Sequence, residues 1–267
     1  MIRTTLRLAA ALIAIAGPAQ AASAAPGTPL IAAAGQAAAA PVQPDREAVE
    51  AIVRAYLLDH PEILPEAMAR LEERETARRI AALITELEKP FEGAWLGNPE
   101  GDVVVVEFFD YACGYCRRSL PDIARLVAAD PGVKVVFREL PILGPDSLDA
   151  ARLSLAAARS GLYEEVHAAL FGGRGLDRAT IRVARRKAGI ALPRDLAPLD
   201  TELRNNKALA RQIGLSGTPA FLVGGKLVSG AVGYDALKRE VEEARARQAD
   251  AASPGLADRS DPRVAAF

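Results

Sequence analysis

The stretch Val103-Val104-Val105-Val106-Glu107-Phe108-Phe109-Asp110-Tyr111-Ala112-Cys113-Gly114-Tyr115-Cys116 decides the fold. Its first seven residues are a near-continuous β-branched and aromatic run, the pattern of a strand buried on both faces. The segment behind it, Cys116 to Ala129, reads as a helix, and Val133 to Arg138 reads as a second strand. Strand, helix and strand at this spacing make a βαβ unit, with parallel pairing and a right-handed crossover. A C-x-x-C pair therefore falls directly after a buried strand, where a helix begins, which is a redox arrangement with a mechanism.

The spacing lets the two sulfurs close a small disulfide ring. Cys113 lies where unpaired backbone N–H groups and the helix dipole favour a thiolate. It is the expected nucleophile. Cys116, one turn further in, is the expected resolving thiol, which breaks a mixed disulfide formed by the first. Three other readings stand beside this one. A four-residue loop closes little chain entropy, so a purely structural disulfide would be a poor staple. Half of a zinc site would need two more ligands, and the chain has 2 Cys and 2 His in all. A two-thiolate Cu(I) site is chemically open.

Towards the C-terminus, a mostly helical region runs from about Ser147 to Ile213, punctuated by Gly172-Gly173, Gly175 and Pro193. Ala220–Val223 and Lys226–Ser229 then flank Gly224-Gly225, a two-residue hairpin signal. Tyr234 to Arg247 reads as a closing helix, and 248–267 as a flexible tail. The order is βαβ, helical insert, hairpin, helix. The expected class is α/β: a thioredoxin-type sheet over 91–247, interrupted by a helical insertion at about 147–213.

Towards the N-terminus, residues 45–89 form a helical segment. Asp45 can cap a helix whose first turn carries Glu47. Val49, Ile52, Val53, Tyr56 and Leu57 share one helical face. Pro61 breaks and restarts the chain. Ile63, Leu64, Ala67, Met68 and Leu71 form a second stripe, and Ile80, Leu83, Ile84 and Leu87 a third. The polar run Glu72–Arg79 between them interrupts any heptad seam. These stripes need a partner, either the following domain or another copy of the chain. We expect the second, with 45–89 as an oligomerisation segment that the thioredoxin-type core does not need.

Residues 22–44 carry no charge and are dominated by Ala, Pro and Gly, the composition of a linker. Residues 1–21 read as a signal peptide. Arg3 and Arg7 precede a short apolar stretch, and Ala19-Gln20-Ala21 offers a cleavage site. The apolar run falls short of the roughly 20 residues of a membrane anchor. The expected compartment is therefore the periplasm, which favours disulfides.

Of the 267 residues, 50% are hydrophobic and 25% charged, a globular balance. A net charge of −1 gives no basic excess for nucleic acid. Two cysteines exclude a disulfide-dense scaffold and a four-thiolate metal or iron–sulfur site. No cofactor and no metal ion is expected.

Residues 106–116, with Pro121 five positions after Cys116 and Gly217-Thr218-Pro219 near the end, resemble the DsbA family of thioredoxin-fold thiol–disulfide oxidoreductases. The stretch with Tyr56-Leu57-Leu58 and Pro61-Glu62-Ile63-Leu64 is similar to the N-terminal helical region of its suppressor-of-copper-sensitivity C-type branch. The resemblance implies catalytic roles for Cys113, Cys116, Glu107 and Pro219, and substrate contact by Thr218, Gly114 and Tyr115. Pro219 matches a cis-proline beside the disulfide; the plain alternative is a turn proline opening the hairpin. Glu107 matches a buried acid that relays a proton to the resolving cysteine. The alternative is a strand-edge Glu paired with Lys134. Pro121 matches the proline that kinks the active-site helix. The implied partners are protein substrates with cysteines and a membrane redox partner that resets the pair. Gly114-Tyr115 departs from the strongly oxidising members, which carry a histidine between the cysteines. Arg117 and Arg118 could stabilise the thiolate in its place. The activity expected is disulfide exchange, as isomerase or oxidase, with a Cu(I)-binding or copper-protective thiol protein as the alternative.

Overall fold

The computed structural model describes residues 45–252. The stretches expected to be a signal peptide and a linker, and the part of the expected tail beyond 252, lie outside the described residues. The chain divides into a unit ending at Tyr56 and a unit running from Leu57. The helix α1, Arg46–Asp59, crosses that boundary. The Glu47 N–H donates to Asp45 Oδ1 at 3.2 Å, as a cap at this start requires. Pro61 separates α1 from α2, Ile63–Glu88.

Among the described residues, five strands follow the order β1-β3-β2-β4-β5. They are β1 (Trp95–Gly97), β2 (Val103–Phe109), β3 (Val133–Glu139), β4 (Ala220–Val223) and β5 (Lys226–Ser229). β2 and β3 are parallel around the crossover helix α3, Gly114–Ala129, and the other pairings are antiparallel. β2 is thus central and buried on both faces, as its unbroken apolar run requires. The insertion comprises α4 (Pro145–Ala158), α5 (Tyr163–Phe171), α6 (Arg178–Lys187) and α7 (Ala197–Gln212). The closing helix α8 runs from Tyr234 to Ala252, five residues past Arg247, into the stretch expected to be tail.

Alternation along β2 assigns its side chains to two apolar layers. Val103, Val105 and Phe109 meet α3, α4, α5 and α8 on one face. Val106 and Phe108 meet Leu209, Ala210 and Ile213 of α7 on the other. Ile80 and Leu87 of α2 are fully buried in that second layer, with Leu83 and Ile84 packed against it. The expectation that the core does not need this segment is therefore corrected for its last stripe. Arg138, buried on β3, explains the anchoring. Its guanidinium donates to the carbonyls of Leu87 at 2.9 Å and Lys89 at 2.8 Å, and also to that of Glu86. These are carbonyls at the end of α2, where no intrahelical donor remains. Asn206 Oδ1 at 2.7 Å and Glu202 at 3.3 Å complete its shell.

The polar run Glu72–Arg79 does not interrupt the helix. Glu, Arg and Ala propagate a helix well, and Arg70–Glu66 and Arg79–Glu75 pair one turn apart.

Candidate active site

Chain direction builds the site. β2 ends at Phe109, and the chain turns through Asp110–Cys113, where the Cys113 N–H donates to the Asp110 carbonyl at 2.9 Å. α3 starts at Gly114, two residues earlier than the sequence pattern suggests, so Cys113 is its N-cap. The Cys113 sulfur accepts the Cys116 N–H at 3.4 Å. It also lies 3.3 Å from the carbonyl oxygen of Thr218, to which its S–H donates in the reduced state. The Thr218–Pro219 peptide is cis, and Pro219 leads into β4. Both thiols are free.

The two sulfurs sit in different surroundings. Burial alone would raise the Cys113 thiol. Hydrogen bonds from the Thr218 side chain, from Cys116 and from the Tyr115 backbone outweigh it, and the thiol lies below its ordinary value. Burial pushes the Cys116 thiol far up, and the charges of Glu107 and Cys113 push it further, against a lowering contact from the Asp110 backbone.

Glu107 is 2% exposed in the central strand, registered against Phe137 of β3 and Phe221 of β4. It is not at a sheet edge. Lys134 donates to the Pro99 carbonyl instead, which removes the strand-edge alternative. Burial, then the negative charge of Cys113, pushes the Glu107 carboxyl up to about 8. A group titrating there can take or give a proton near neutral pH.

Gly114 and Tyr115 stand at the surface, with Tyr115 60% exposed and the Arg118 guanidinium 4.1 Å above its ring. Arg117 donates to the Gly173 carbonyl at 2.6 Å, tying α3 to the insertion. The two arginines thus engage Gly173 and Tyr115. Pro121 lies inside α3. The structure therefore gathers Cys113, Cys116, Thr218, Pro219 and Glu107 at one end of β2, with Gly114 and Tyr115 on the outer rim.

Sequence reasoning missed a buried polar cluster behind the site. The Tyr111 hydroxyl donates to Ser154 at 2.6 Å and lies 2.9 Å from His167 Nδ1. Ser154 and Tyr163 donate to Glu139 at 2.9 and 3.1 Å. Burial pushes Glu139 up to about 7 and His167 down to about 3, so His167 is neutral. Among the described residues no group of three or more His, Cys, Asp or Glu side chains could hold a metal ion.

A DSBA-like thioredoxin domain model matches residues 104–242, and a copper resistance protein ScsC N-terminal domain model matches residues 45–78. A linker-deletion mutant of Proteus mirabilis ScsC superposes with a TM-score of 0.64 at 30% identity, covering 78% of this chain and 99% of that one. A thioredoxin-like oxidoreductase from Silicibacter pomeroyi is 44% identical with a TM-score of 0.55, over 57% of this chain and 91% of its own. The thiol-disulfide exchange protein alpha-DsbA2 from Wolbachia pipientis is 27% identical with a TM-score of 0.59, over 64% of this chain and 96% of its own. A Na(+)/H(+) antiporter NhaA 1 from Salinispora arenicola matches at 27% identity over 167 residues, 55% of this chain. The chain spans only 24% of that curated relative's length. Among the described residues no helix is long and apolar enough to cross a membrane.

Proposed function

The chain belongs to the DSBA-like thioredoxin-domain family of thiol–disulfide oxidoreductases, and on that premise we propose that it exchanges disulfides with exported proteins through Cys113 and Cys116. The observation that carries this reading is the position of the Cys113 sulfur. It caps α3, lies beside Thr218 and has Cys116 buried behind it.

In the reducing direction the Cys113 thiolate attacks one sulfur of a substrate disulfide. A Cys113–substrate disulfide forms, and the other substrate sulfur leaves as a thiolate and takes a proton. Cys116 then gives its proton to the Glu107 carboxylate and attacks the Cys113 sulfur. The second substrate thiolate leaves, Cys113–Cys116 is oxidised and the substrate is reduced by two electrons. The reverse sequence oxidises a substrate dithiol. Isomerisation uses the first step alone, with a second substrate thiolate releasing Cys113 unchanged. Thr218, beside the invading cysteine, offers its backbone to an extended substrate segment, and Gly114 and Tyr115 form the surface around it.

With Gly114-Tyr115 between the cysteines, Cys113 draws its stabilisation from the helix terminus and Thr218. The pair is then less oxidising than one with an imidazolium beside it. Isomerase work follows where identical chains bring several sites together. Apolar residues of 45–71 support such an assembly. Ile52 is 69% exposed and Met68 71%, with Val53, Tyr56, Leu58, Leu64 and Leu71 also exposed. Oxidase work follows in a single chain reset by a membrane redox partner. The N-terminal pattern of residues 1–21 supports export to the periplasm.

The test replaces Cys116 with Ala and searches for mixed disulfides through Cys113. Substrate proteins bound through Cys113 are the expected result, absent in Cys113→Ser. A chain that instead binds Cu(I) through both thiols and captures no protein would carry the copper-protective alternative.

A further inference from the structure

Asp110 is a carboxylate buried at 2% exposure in the turn between β2 and the cysteines, and the exchange chemistry above makes no use of it. Its Oδ1 accepts the Ala112 N–H at 2.8 Å. Its Oδ2 accepts the N–H groups of Ile142 and Leu143, at 2.8 and 2.9 Å. Its own carbonyl closes the turn by accepting the Cys113 N–H. One residue thus fixes a turn of four and ties it to the loop that leaves β3. Bonds to an ionised acceptor are stronger and more directional than bonds between neutral groups.

We propose that Asp110 is a positioning residue for the redox pair: its carboxylate locks the Asp110–Cys113 turn against the Ile142–Leu143 loop, and so holds the Cys113 sulfur on the α3 terminus and beside Thr218. The inference rests on the reading of Cys113 as the nucleophile. The sulfur accepts the Cys116 N–H, which favours the thiolate, and as a thiol it donates to the Thr218 carbonyl, so its two contacts come from different elements. Both are kept only while the turn between β2 and α3 keeps its shape. The groups facing the sulfur are Cys116 of α3, Glu107 of β2 and Thr218 before β4. Arg117 and Arg118 are engaged elsewhere. The lowering contacts of the Cys113 sulfur are hydrogen bonds from Thr218, Cys116 and Tyr115, so they depend on its placement.

The experiment sets Asp110→Asn and Asp110→Ala beside the parent, each also in a Cys116→Ala background. Thiolate absorbance against pH gives the Cys113 pKa. Equilibration with glutathione gives the stability of the Cys113–Cys116 disulfide, and thermal unfolding is followed in parallel. Asn keeps one acceptor oxygen where two are needed, so it removes part of the clamp; Ala removes all of it. The expected result is a Cys113 pKa moving up towards the free value of about 8.5, more for Ala than for Asn. The disulfide equilibrium should shift roughly tenfold towards the oxidised chain, because the reduced form loses its stabilised thiolate. Asp110→Asn keeps side-chain volume and carries the test where Asp110→Ala fails to fold. A lower unfolding temperature with unchanged Cys113 pKa and unchanged equilibrium overturns the proposal and leaves Asp110 a structural residue. Failure of the exchange reading is distinguishable, since the parent, with Asp110 intact, would then show no disulfide exchange that Cys113→Ser removes.

Discussion

Glu107 and Cys116 oppose each other's ionisation: the carboxylate's charge adds to the burial that already holds the thiol far above its ordinary value. Only one of the two can carry a negative charge at moderate cost, so a proton passing between them keeps the buried charge at one. This is the relation on which the proposed resolving step depends.

Glu107→Gln should slow resolution of the mixed disulfide by about 10²-fold near pH 7, the scale of a lost acid–base partner. The initial attack by Cys113 should be nearly unchanged. Rapid-quench kinetics that separate the two steps make the check, and equal rates of resolution in both proteins would remove Glu107 from the proton transfer.

The same substitution should alter stability with the opposite sign to most lost carboxylates. Glu107 binds its proton up to about pH 8 in the folded chain and only to about 4.5 unfolded. Between those values the folded state holds the extra proton, so stability falls as pH rises, by at most roughly 1.4 kcal/mol per unit. Glu139, raised to about 7, acts the same way up to that pH. His167, lowered to about 3, works in reverse below about 6.5. The window from 7 to 8 therefore isolates Glu107 best. Urea unfolding of the reduced proteins should show the parent losing about 1 kcal/mol more than Glu107→Gln across it.

In Cys116→Ala, Cys113 should titrate below the free-thiol value of about 8.5. The downward shift follows from donors that meet its sulfur at the start of α3 and from Thr218. Ultraviolet absorbance of the thiolate against pH reads this directly. A midpoint at or above the free value would disqualify Cys113 as the activated nucleophile.

A chain beginning at Phe91 should fold poorly. It lacks Ile80 and Leu87, which are buried on the β2 face, and it strips Arg138 of three carbonyl partners. An unpaired buried guanidinium costs about 3–5 kcal/mol. A chain beginning near Glu72 keeps these contacts and should retain a cooperative melt. Equal melting temperatures for the two would contradict the docking of α2.

That shorter chain should also be monomeric, whereas the chain from Ala22 on, the expected mature chain, should be a homo-oligomer. The difference lies in the exposed side chains from Val49 to Leu71, whose pairing between identical chains removes them from water. Light scattering at micromolar concentration decides. Ile52→Glu with Met68→Glu should dissociate the mature chain, and a mature chain that is monomeric from the outset would end the assembly idea.

Much of this was legible in local pattern. The Val103–Phe109 run, the parallel unit and the Gly224-Gly225 hairpin depend on neighbours in sequence, and the structure keeps all three. What escaped depends on distance along the chain. Trp95–Gly97 is a strand of three residues with no alternation to read, formed by pairing with Val136, Val135 and Lys134. The third stripe of 45–89 is visible as periodicity, but periodicity carries no address, and Arg138 supplies it from β3. Asp110 binds amides 32 and 33 positions away. Nothing in the residues around Asp110 announces those donors.

The unbroken course of α2 sets a length scale. Twenty-six helical residues measure roughly 39 Å, and the far end is moored by Arg138 while the near end carries Leu64 and Met68. A rod of that kind cannot shorten. If identical chains join at its near end, it stands them off from one another like a strut, and the gap between sulfurs becomes a gauge. Clients too bulky for that gap would meet one thiol pair at a time, while small unfolded ones could be handed from pair to pair without leaving the assembly.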